Sequence, residues 1–276
     1  MRLGVDCSQH QQSWDALLDR VRFAEDAGFD GAWVFDHFKP LYGDPGGPCM
    51  EAWTLLAALG AATERIRLGA LVTGITYRHP SILATEAVTV DHVSNGRLEL
   101  AVGAAWFQQE HRELGVDFPS NRQRARRLDE AIQVMKLLMT KDGASFDGRH
   151  YRLEDATYNP KPVQRPHPPL WVGASGEGLM LPLAGRHADA WHGFGHVDML
   201  ADKWRIVSDS AAAAGRDPSA ILRSTSLSIS EPWDEVKRTA TALRDAGIGY
   251  LIVSWPAEGK ARVEEFLEVV APDLAD

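Results

Sequence analysis

The sequence predicts a (β/α)₈ TIM barrel with an insertion around residues 106–168. Short apolar segments alternate with longer amphipathic segments eight times along the 276 residues. The apolar segments lack hydrophobic–polar alternation, which is typical of parallel strands that are buried on both faces. Segments 24–35 and 243–254 both pass from a helix through a glycine into an apolar strand, as loops from helix to strand commonly do. Eight such units favour closure into a barrel.

The main alternative is a doubly wound open sheet. The dinucleotide-binding form of that sheet carries a GxGxxG motif after its first strand, and none follows the apolar segment 3–8. Because a (β/α)₈ barrel commonly uses about 250 residues as one unit, we expect residues 1–276 to form a single domain.

The four units in the first half of the chain show both periodicities. In the first amphipathic segment, Leu17, Val21 and Ala24 fall on one helical face. In the fourth, Leu128 and Ile132 begin a similar apolar face. The strands predicted here are 3–8, 31–36, 66–74 and 97–104, and the helices are 13–28, 51–64, 81–94 and 121–141.

The second half repeats this alternation after an interruption. Residues 142–168 hold four prolines and several turn-forming residues. Long insertions in barrels are often lids over the active site, and a loop without function fits this sequence equally well. After it, the predicted strands are 169–175, 188–195, 221–230 and 250–255, and the helices are 176–188, 198–215, 234–247 and 261–270.

The composition excludes several functional classes. Asp and Glu number 38 against 29 Lys and Arg, a net charge of −9, which argues against general binding to nucleic acid or to an anionic membrane. The amino-terminal residues contain no long apolar segment, and no run approaches the length of a membrane span, so we expect a cytoplasmic protein. Cys7 and Cys49 show no metal-binding or CxxC spacing and are expected to be reduced thiols.

The ends of the predicted strands locate the active site. In a (β/α)₈ barrel the active site lies at the carboxyl ends of the strands. A metal site formed by Asp36, His37 and His192 is one alternative, but the strand ends carry few metal ligands and we predict none. The strand-end residues are small, polar or aromatic, which favours a flat conjugated ligand: Cys7, Ser8, Asp36, His37, Thr73, Gly74, Ala104, Ala105, Trp106, Ala174, Ser175, His192, Ser228, Ser254 and Trp255.

Asp36 and His37 are the most distinctive of these residues. They follow the apolar run Trp33, Val34 and Phe35 with no turn residue between. Because the carboxyl end of a barrel strand faces the active site, an ionisable pair at this position favours a functional role. The alternative is a pair that only caps the loop after the strand.

Three further features leave their roles open. Residues 172–179, "VGASGEGL", suit a phosphate site beside a helix amino terminus, and they suit a tight turn equally well. Arg78, just before Pro80, is expected to form a salt bridge at the rim. The basic run Arg122, Arg124, Arg126 and Arg127 can attract an anionic tail, although a solvated helix face is the simpler interpretation.

Taken together, these strand ends resemble those of the bacterial luciferase-like monooxygenase superfamily. Within it, they resemble the oxidoreductases that depend on the deazaflavin coenzyme F420. The matching segments occur in the family's order and cover most of residues 24–191. They are 24–38, 63–106, 146–156, 160–178 and 185–191.

The resemblance implies a TIM barrel that holds a flavin or deazaflavin at its strand ends. By position, His37 would donate or accept a proton during hydride transfer, and Asp36 would bind the ring or orient His37. A non-proline cis peptide is implied at Leu71–Val72. The other implied cofactor-binding residues are Leu71, Val72 and Thr73 behind the ring, Ala104, Ala105 and Trp106 along its edge, and Ala174, Ser175 and Gly176 around the phosphate.

The expected activity is hydride transfer between F420 and a small organic substrate. Trp106 stands where family members that oxidise sugar phosphates carry a glutamate, and "AVGAAW" replaces the frequent "GxGGGW", so the substrate is expected to differ. An FMN-dependent two-component monooxygenase is the alternative. A barrel that binds flavin without turnover also remains open, as does assembly into a homodimer.

Overall fold

The computed structural model describes residues 1–274 and contains a closed barrel of parallel strands. The strands are β1 (Arg2–Asp6), β2 (Gly31–Val34), β3 (Arg67–Ala70), β4 (Thr73–Gly74), β5 (Leu98–Gly103), β6 (Ala144–Asp147), β7 (Arg152–Ala156), β8 (Leu170–Gly173), β9 (Ala190–His192), β10 (Leu222–Leu227) and β11 (Tyr250–Val253). The helices are α1 (Trp14–Asp26), α2 (Ala52–Ala62), α3 (Pro80–Val93), α4 (Gln108–Leu114), α5 (Asn121–Thr140), α6 (Met180–His187), α7 (Val197–Ala213), α8 (Trp233–Asp245) and α9 (Lys260–Val269).

The strand order confirms the barrel. Parallel neighbours run β3-β2-β1-β11-β10-β9-β8-β5-β4, and pairing of β3 with β5 at Leu68 and Leu98 closes the circle. The short strand β4 continues β3 after two residues and pairs with the end of β5. The third barrel position is therefore one broken strand, and the open-sheet alternative is wrong.

Each predicted strand and helix overlaps an observed one, and the observed elements begin within four residues of the predicted start. Except at the third position, where β4 ends at Gly74 as predicted, the observed strands are shorter at their carboxyl ends, because the last predicted residues leave the sheet and form the loops above it. The helix α4 was not predicted. Its seven residues are mostly polar, yet Glu110 and His111 are fully buried, so no apolar periodicity marks it.

The segment 142–168 lies along the outside of the barrel. Strands β6 and β7 form an antiparallel hairpin, and the turn between them donates three backbone N–H groups to the Glu130 carboxylate on α5. Further on, Gln164 Nε2 donates to Leu98 O at 2.8 Å, at the start of β5. No residue of this segment lines the cavity at the strand ends, so it does not form a lid there.

Three large aromatic rings fill the barrel below its strand ends. The Trp33 and Trp171 rings lie 4.8 Å apart, and the Tyr250 ring lies 6.1 Å and 5.1 Å from them. Glycines on the facing strands make room, since a Cβ on Gly69 would lie 2.5 Å from the Trp33 ring. Burying each ring stabilises the fold by about 1.5–3 kcal/mol, and together they provide a solid base beneath the site.

Outside the barrel, the helices bury one face each against the strands. In α1, Leu17, Val21 and Ala24 have no exposed surface, as the sequence predicts. Cys7 and Cys49 are both free thiols. Within residues 1–274, the structure contains no helix long and apolar enough to span a bilayer.

Candidate active site

A cavity of about 720 Å³ opens at the carboxyl ends of β2, β4, β5 and β8. Its wall contains nearly all the residues that the family resemblance implies as catalytic or cofactor-binding. Those lining it are Asp36, His37, Leu71, Val72, Ala104, Ala105, Trp106, Ala174, Ser175 and Gly176.

Of the residues implied as catalytic or cofactor-binding, Thr73 is the one that does not line the cavity. Its neighbours Val72 and Gly74 do, and because side chains alternate along a strand, Thr73 faces the other way. It is fully buried, and its Oγ1 has no hydrogen-bond partner within residues 1–274. Trp106 is at the mouth and is 65% exposed, so its ring stands at the entrance rather than along a buried edge. Besides Thr73, the strand-end candidates outside the cavity wall are Cys7, Ser8, His192, Ser228, Ser254 and Trp255.

His37 is held in place by a buried carboxylate. Its Nδ1 lies 3.0 Å from Glu110 Oε2, and Glu110 has no exposed surface. A carboxylate only accepts hydrogen bonds, so Nδ1 carries the hydrogen in this pair. Nε2 makes no hydrogen bond to any residue from 1 to 274, which leaves the other edge of this cavity-lining ring available to a bound molecule.

Glu110 collects four donors on its two oxygens. Oε1 accepts the backbone N–H groups of Phe38 and Lys39 at 2.8 and 3.2 Å, and Oε2 accepts the Tyr77 hydroxyl in addition to His37. Burial alone would raise the pKa of Glu110, but these hydrogen bonds more than offset it and the pKa is lowered. Burial, reinforced by Glu110, raises the pKa of Tyr77, so Tyr77 remains a donor.

Asp36 belongs to a different cluster from His37. Its Oδ2 accepts the Gly74 backbone N–H at 2.9 Å and an Arg78 N–H at 2.8 Å. Burial raises the pKa of Asp36, and the Arg78 guanidinium opposes that change. The side chain that orients His37 is therefore Glu110 and not Asp36, whereas the salt bridge expected for Arg78 is confirmed. Asp36 Oδ1 has no partner within the described residues.

Val72 forms the floor between three strands. The Leu71–Val72 peptide is cis, as the family resemblance implies. A Cβ on Gly103 would lie 2.7 Å from Val72 Cγ2, and one on Gly173 would lie 2.9 Å from it. Glycine at these two strand ends therefore allows the Val72 side chain to reach across β5 and β8, giving the cavity an apolar base.

Arg124 is the one member of the basic run that is buried. Helix α5 begins with a capping box, in which Ser120 and Gln123 bond to each other's backbone N–H, and this fixes the helix start beside the cavity. The Arg124 side chain donates to Ala104 O at 2.9 Å and lies 3.8 Å over the Phe118 ring. It therefore supports the loop after β5, and the run is not a uniformly solvated face.

The loop after β8 presents free backbone donors. The N–H groups of Ser175, Gly176, Glu177 and Gly178 make no hydrogen bond within residues 1–274. Gly176 and Gly178 line the cavity, and a Cβ on Gly178 would meet no atom within 4 Å. Open space and unused N–H groups make this loop suitable for an oxygen-rich anionic group.

His192 is fully buried at the end of β9 and does not line the cavity. Its Nδ1 lies 3.1 Å from Ser224 Oγ. In the part of the chain described, no group of three or more His, Cys, Asp or Glu side chains can hold a metal ion. The alternative in which Asp36, His37 and His192 meet around a metal is therefore wrong, because His192 does not join the other two in the cavity wall.

The pH dependence of stability should reflect His192. Burial lowers its pKa from 6.5 to about 3, so the unfolded chain binds an extra proton between these values. Stability from this group is complete above pH 6.5 and is lost as pH falls, with a slope of about 1.4 kcal/mol per pH unit. Urea unfolding of His192→Asn should show a shallower slope between pH 4 and 6. An unchanged slope would contradict the assignment of this pH dependence to His192. The difference in unfolding free energy between His192→Asn and the unaltered protein above pH 7 gives the pH-independent cost of the substitution.

Comparison with known proteins places the chain in a family. The model of the luciferase-like monooxygenase family matches residues 1–270. The chain belongs to the luciferase-like monooxygenase family.

Several relatives of this luciferase-like protein are named F420-dependent glucose-6-phosphate dehydrogenases. The one from Kineococcus radiotolerans is 31% identical over 282 residues, which cover 100% of this chain and 80% of that protein. The one from Microbacterium testaceum is 35% identical over 192 residues, 69% of this chain, and the match spans only 56% of the relative.

The name of another relative specifies a different cofactor. The FMNH₂-dependent dimethylsulfone monooxygenase of Pseudomonas putida is 34% identical over 175 residues, 63% of this chain and 47% of that protein. Among solved structures, an F420-dependent secondary alcohol dehydrogenase bound to an F420–acetone adduct superposes with a TM-score of 0.89. Its sequence identity is 22%, and the match covers 100% of this chain and 99% of that one, so the likeness supports the fold.

The sequence did not predict Glu110, which accepts more hydrogen bonds than the other ionisable residues of this luciferase-like protein's candidate site. Glu110 is separated from His37 by 73 positions and lies in the unpredicted helix α4. Its only signal is a glutamate in the polar stretch "QQEHREL", which also describes a solvent-exposed helix. Tyr77 was missed for the same reason, since its role depends on Glu110.

Proposed function

We propose that this chain is an oxidoreductase that binds coenzyme F420 in the cavity and transfers a hydride between the deazaflavin and a small organic substrate. The observation that supports this best is the pair His37 and Glu110: a histidine fixed at one nitrogen by a buried carboxylate, with its other nitrogen free on a cofactor-sized cavity. When bound, the deazaflavin ring supplies the hydride donor or acceptor. The names of the relatives support the choice of F420.

The cavity walls fit such a cofactor. Leu71 and Val72 give an apolar surface against which a flat ring can lie. The unused N–H groups of the loop 175–178 suit a phosphate. Asp36 Oδ1, which is buried without a partner, suits a polar edge of the ring.

The proposed chemistry of the protein itself is a proton transfer at His37 Nε2. Because Glu110 accepts the Nδ1 hydrogen, neutral His37 presents a lone pair at Nε2. An alcohol hydroxyl held there gives its proton to Nε2 as its carbon loses a hydride. In the reverse direction the protonated imidazole of His37 returns that proton to the oxygen of a carbonyl substrate as its carbon gains a hydride. Glu110 stabilises the charged imidazole in both cases.

An FMN-dependent monooxygenase is the second candidate. The monooxygenase relative from Pseudomonas putida supports it. The same apolar floor would shield a reactive flavin from water, so the cavity walls are compatible with both cofactors.

Fluorescence titration with F420, FMN and FAD distinguishes the candidates. We expect F420 to bind with a Kd in the ~micromolar range or below, because the cavity provides an apolar wall and anion-binding N–H groups. FMN should bind more weakly. Binding of FMN but not of F420 would replace our proposal with the monooxygenase. Binding of neither would remove both.

A further inference from the structure

A basic groove continues from the cavity over its rim. The groove has a volume of about 350 Å³ and shares the rim residues Ala125 and Leu179 with the cavity. We call it the α5–α6 groove. It is lined by Ala125, Arg126, Asp129, Glu130, Arg149, Leu179, Leu183 and Arg186.

The acidic groups of this groove already have partners. Asp129 Oδ1 lies 2.8 Å from Arg186 and 3.0 Å from His187 Nε2. The hydrogen bonds from His187 and Arg186 lower the pKa of Asp129 to about 2. Glu130 is occupied by the backbone N–H groups of 149–151, at 2.7 to 3.1 Å.

Two arginines of the groove have no such partner. Arg126 and Arg149 are exposed and form no salt bridge within residues 1–274. Arg122 is also exposed, forms no salt bridge in the described part of the chain, and lies one helical turn before Arg126 on the same face of α5. Like charges at this spacing repel, which is a cost that an anionic ligand would relieve. A local positive surface next to the cavity stands out in a chain of net charge −9.

We infer that the α5–α6 groove binds the anionic tail of the cofactor, as an extended chain of carboxylates. The inference rests on the proposed function: F420 carries a phosphate and a chain of glutamyl carboxylates beyond its ring. With the phosphate at the loop 175–178, the tail leaves the cavity past Leu179 and meets Arg126 and Arg149. Arginine suits this role because its planar guanidinium pairs with carboxylates through two hydrogen bonds.

The test compares tail lengths in the intact protein. Kd is measured by deazaflavin fluorescence for F420 with a long tail, F420 with a short tail, and the riboside that lacks both phosphate and tail. We expect the Arg126→Ala and Arg149→Ala double variant to bind long-tailed F420 roughly five- to tenfold more weakly, since each exposed ion pair is modest. Its Kd for the riboside should equal that of the unaltered protein. High salt should weaken only the tail-dependent part.

A matched control removes the same charge elsewhere. Arg65 and Arg238 are also exposed arginines, and neither lines the cavity or the groove, so the Arg65→Ala and Arg238→Ala double variant should retain the original Kd. Equal weakening of F420 binding in both double variants would contradict the proposal that the groove binds the tail. If the riboside binds and a longer tail adds no affinity, the tail proposal is wrong but the proposed function stands. Absence of deazaflavin binding would overturn both.

Discussion

Replacing His37 with alanine should lower F420-dependent turnover about 10²–10⁴-fold, the usual contribution of a positioned general acid or base. The Kd for F420 should change by less than about threefold, because the apolar floor and the loop 175–178 are untouched. The two quantities are measured separately, by steady-state kinetics and by fluorescence titration.

The matched variants for this experiment are His37→Gln and His92→Ala. Glutamine can still donate to Glu110 but does not exchange a proton near neutral pH, so it should be as slow as alanine. His92 is an exposed histidine on α3, and its loss should leave turnover unchanged. Equal losses of affinity and turnover in His37→Ala would show that His37 is structural.

Replacing Glu110 with alanine should have the largest effect on stability. The change leaves His37, Tyr77 and two backbone N–H groups without their acceptor in a buried place. Removing one partner of a buried charged cluster typically costs about 3–5 kcal/mol, so the free energy of unfolding in urea should fall by that amount.

Glu110→Gln separates the electrostatic role from the packing. The amide keeps the volume, so most of the stability should return, but it cannot act as a carboxylate for protonated His37, and turnover should remain at least about tenfold reduced. Because the pKa of Glu110 is lowered in the folded protein, its stabilisation is present above its ordinary value of 4.5 and is lost as pH falls. The loss of folding stability at acid pH should be smaller in Glu110→Gln.

Glu113→Gln is the matched control for both variants. Glu113 lies three residues further along α4, is exposed, and pairs with Lys39 at the surface. Surface pairs of this kind contribute little, so stability should be nearly unchanged and turnover should stay within about twofold of that of the unaltered protein. A Glu113→Gln effect as large as that of Glu110→Gln would contradict a special role for the buried carboxylate.

The sequence predicted the parts of the protein that depend on periodicity. Strands buried on both faces and helices with one apolar face leave patterns in single segments, so the barrel and its strand ends, with Asp36 and His37 among them, could be found. Burial of the polar helix α4 leaves no such pattern. Its inner face contacts the polar strand ends, so Glu110 is enclosed by donors rather than by apolar side chains.

Long-range polar contacts account for the other differences. The basic run of α5 divides into the buried Arg124 and the exposed Arg126 because only Arg124 reaches the loop after β5, at Ala104. Likewise, Asp36 engages Arg78, 42 positions away, instead of the adjacent His37. Partners so distant along the chain are set by the closed barrel and cannot be read from neighbouring residues.

The close packing of Val72 against Gly103 and Gly173 limits how the cavity floor can diverge. Alanine at either glycine meets Val72 first, so it is harmful while valine is present and tolerable once that side chain has become smaller. The order of substitutions therefore matters. During evolution, Val72 must be replaced by a smaller residue before Gly103 or Gly173 can be replaced by a residue with a side chain.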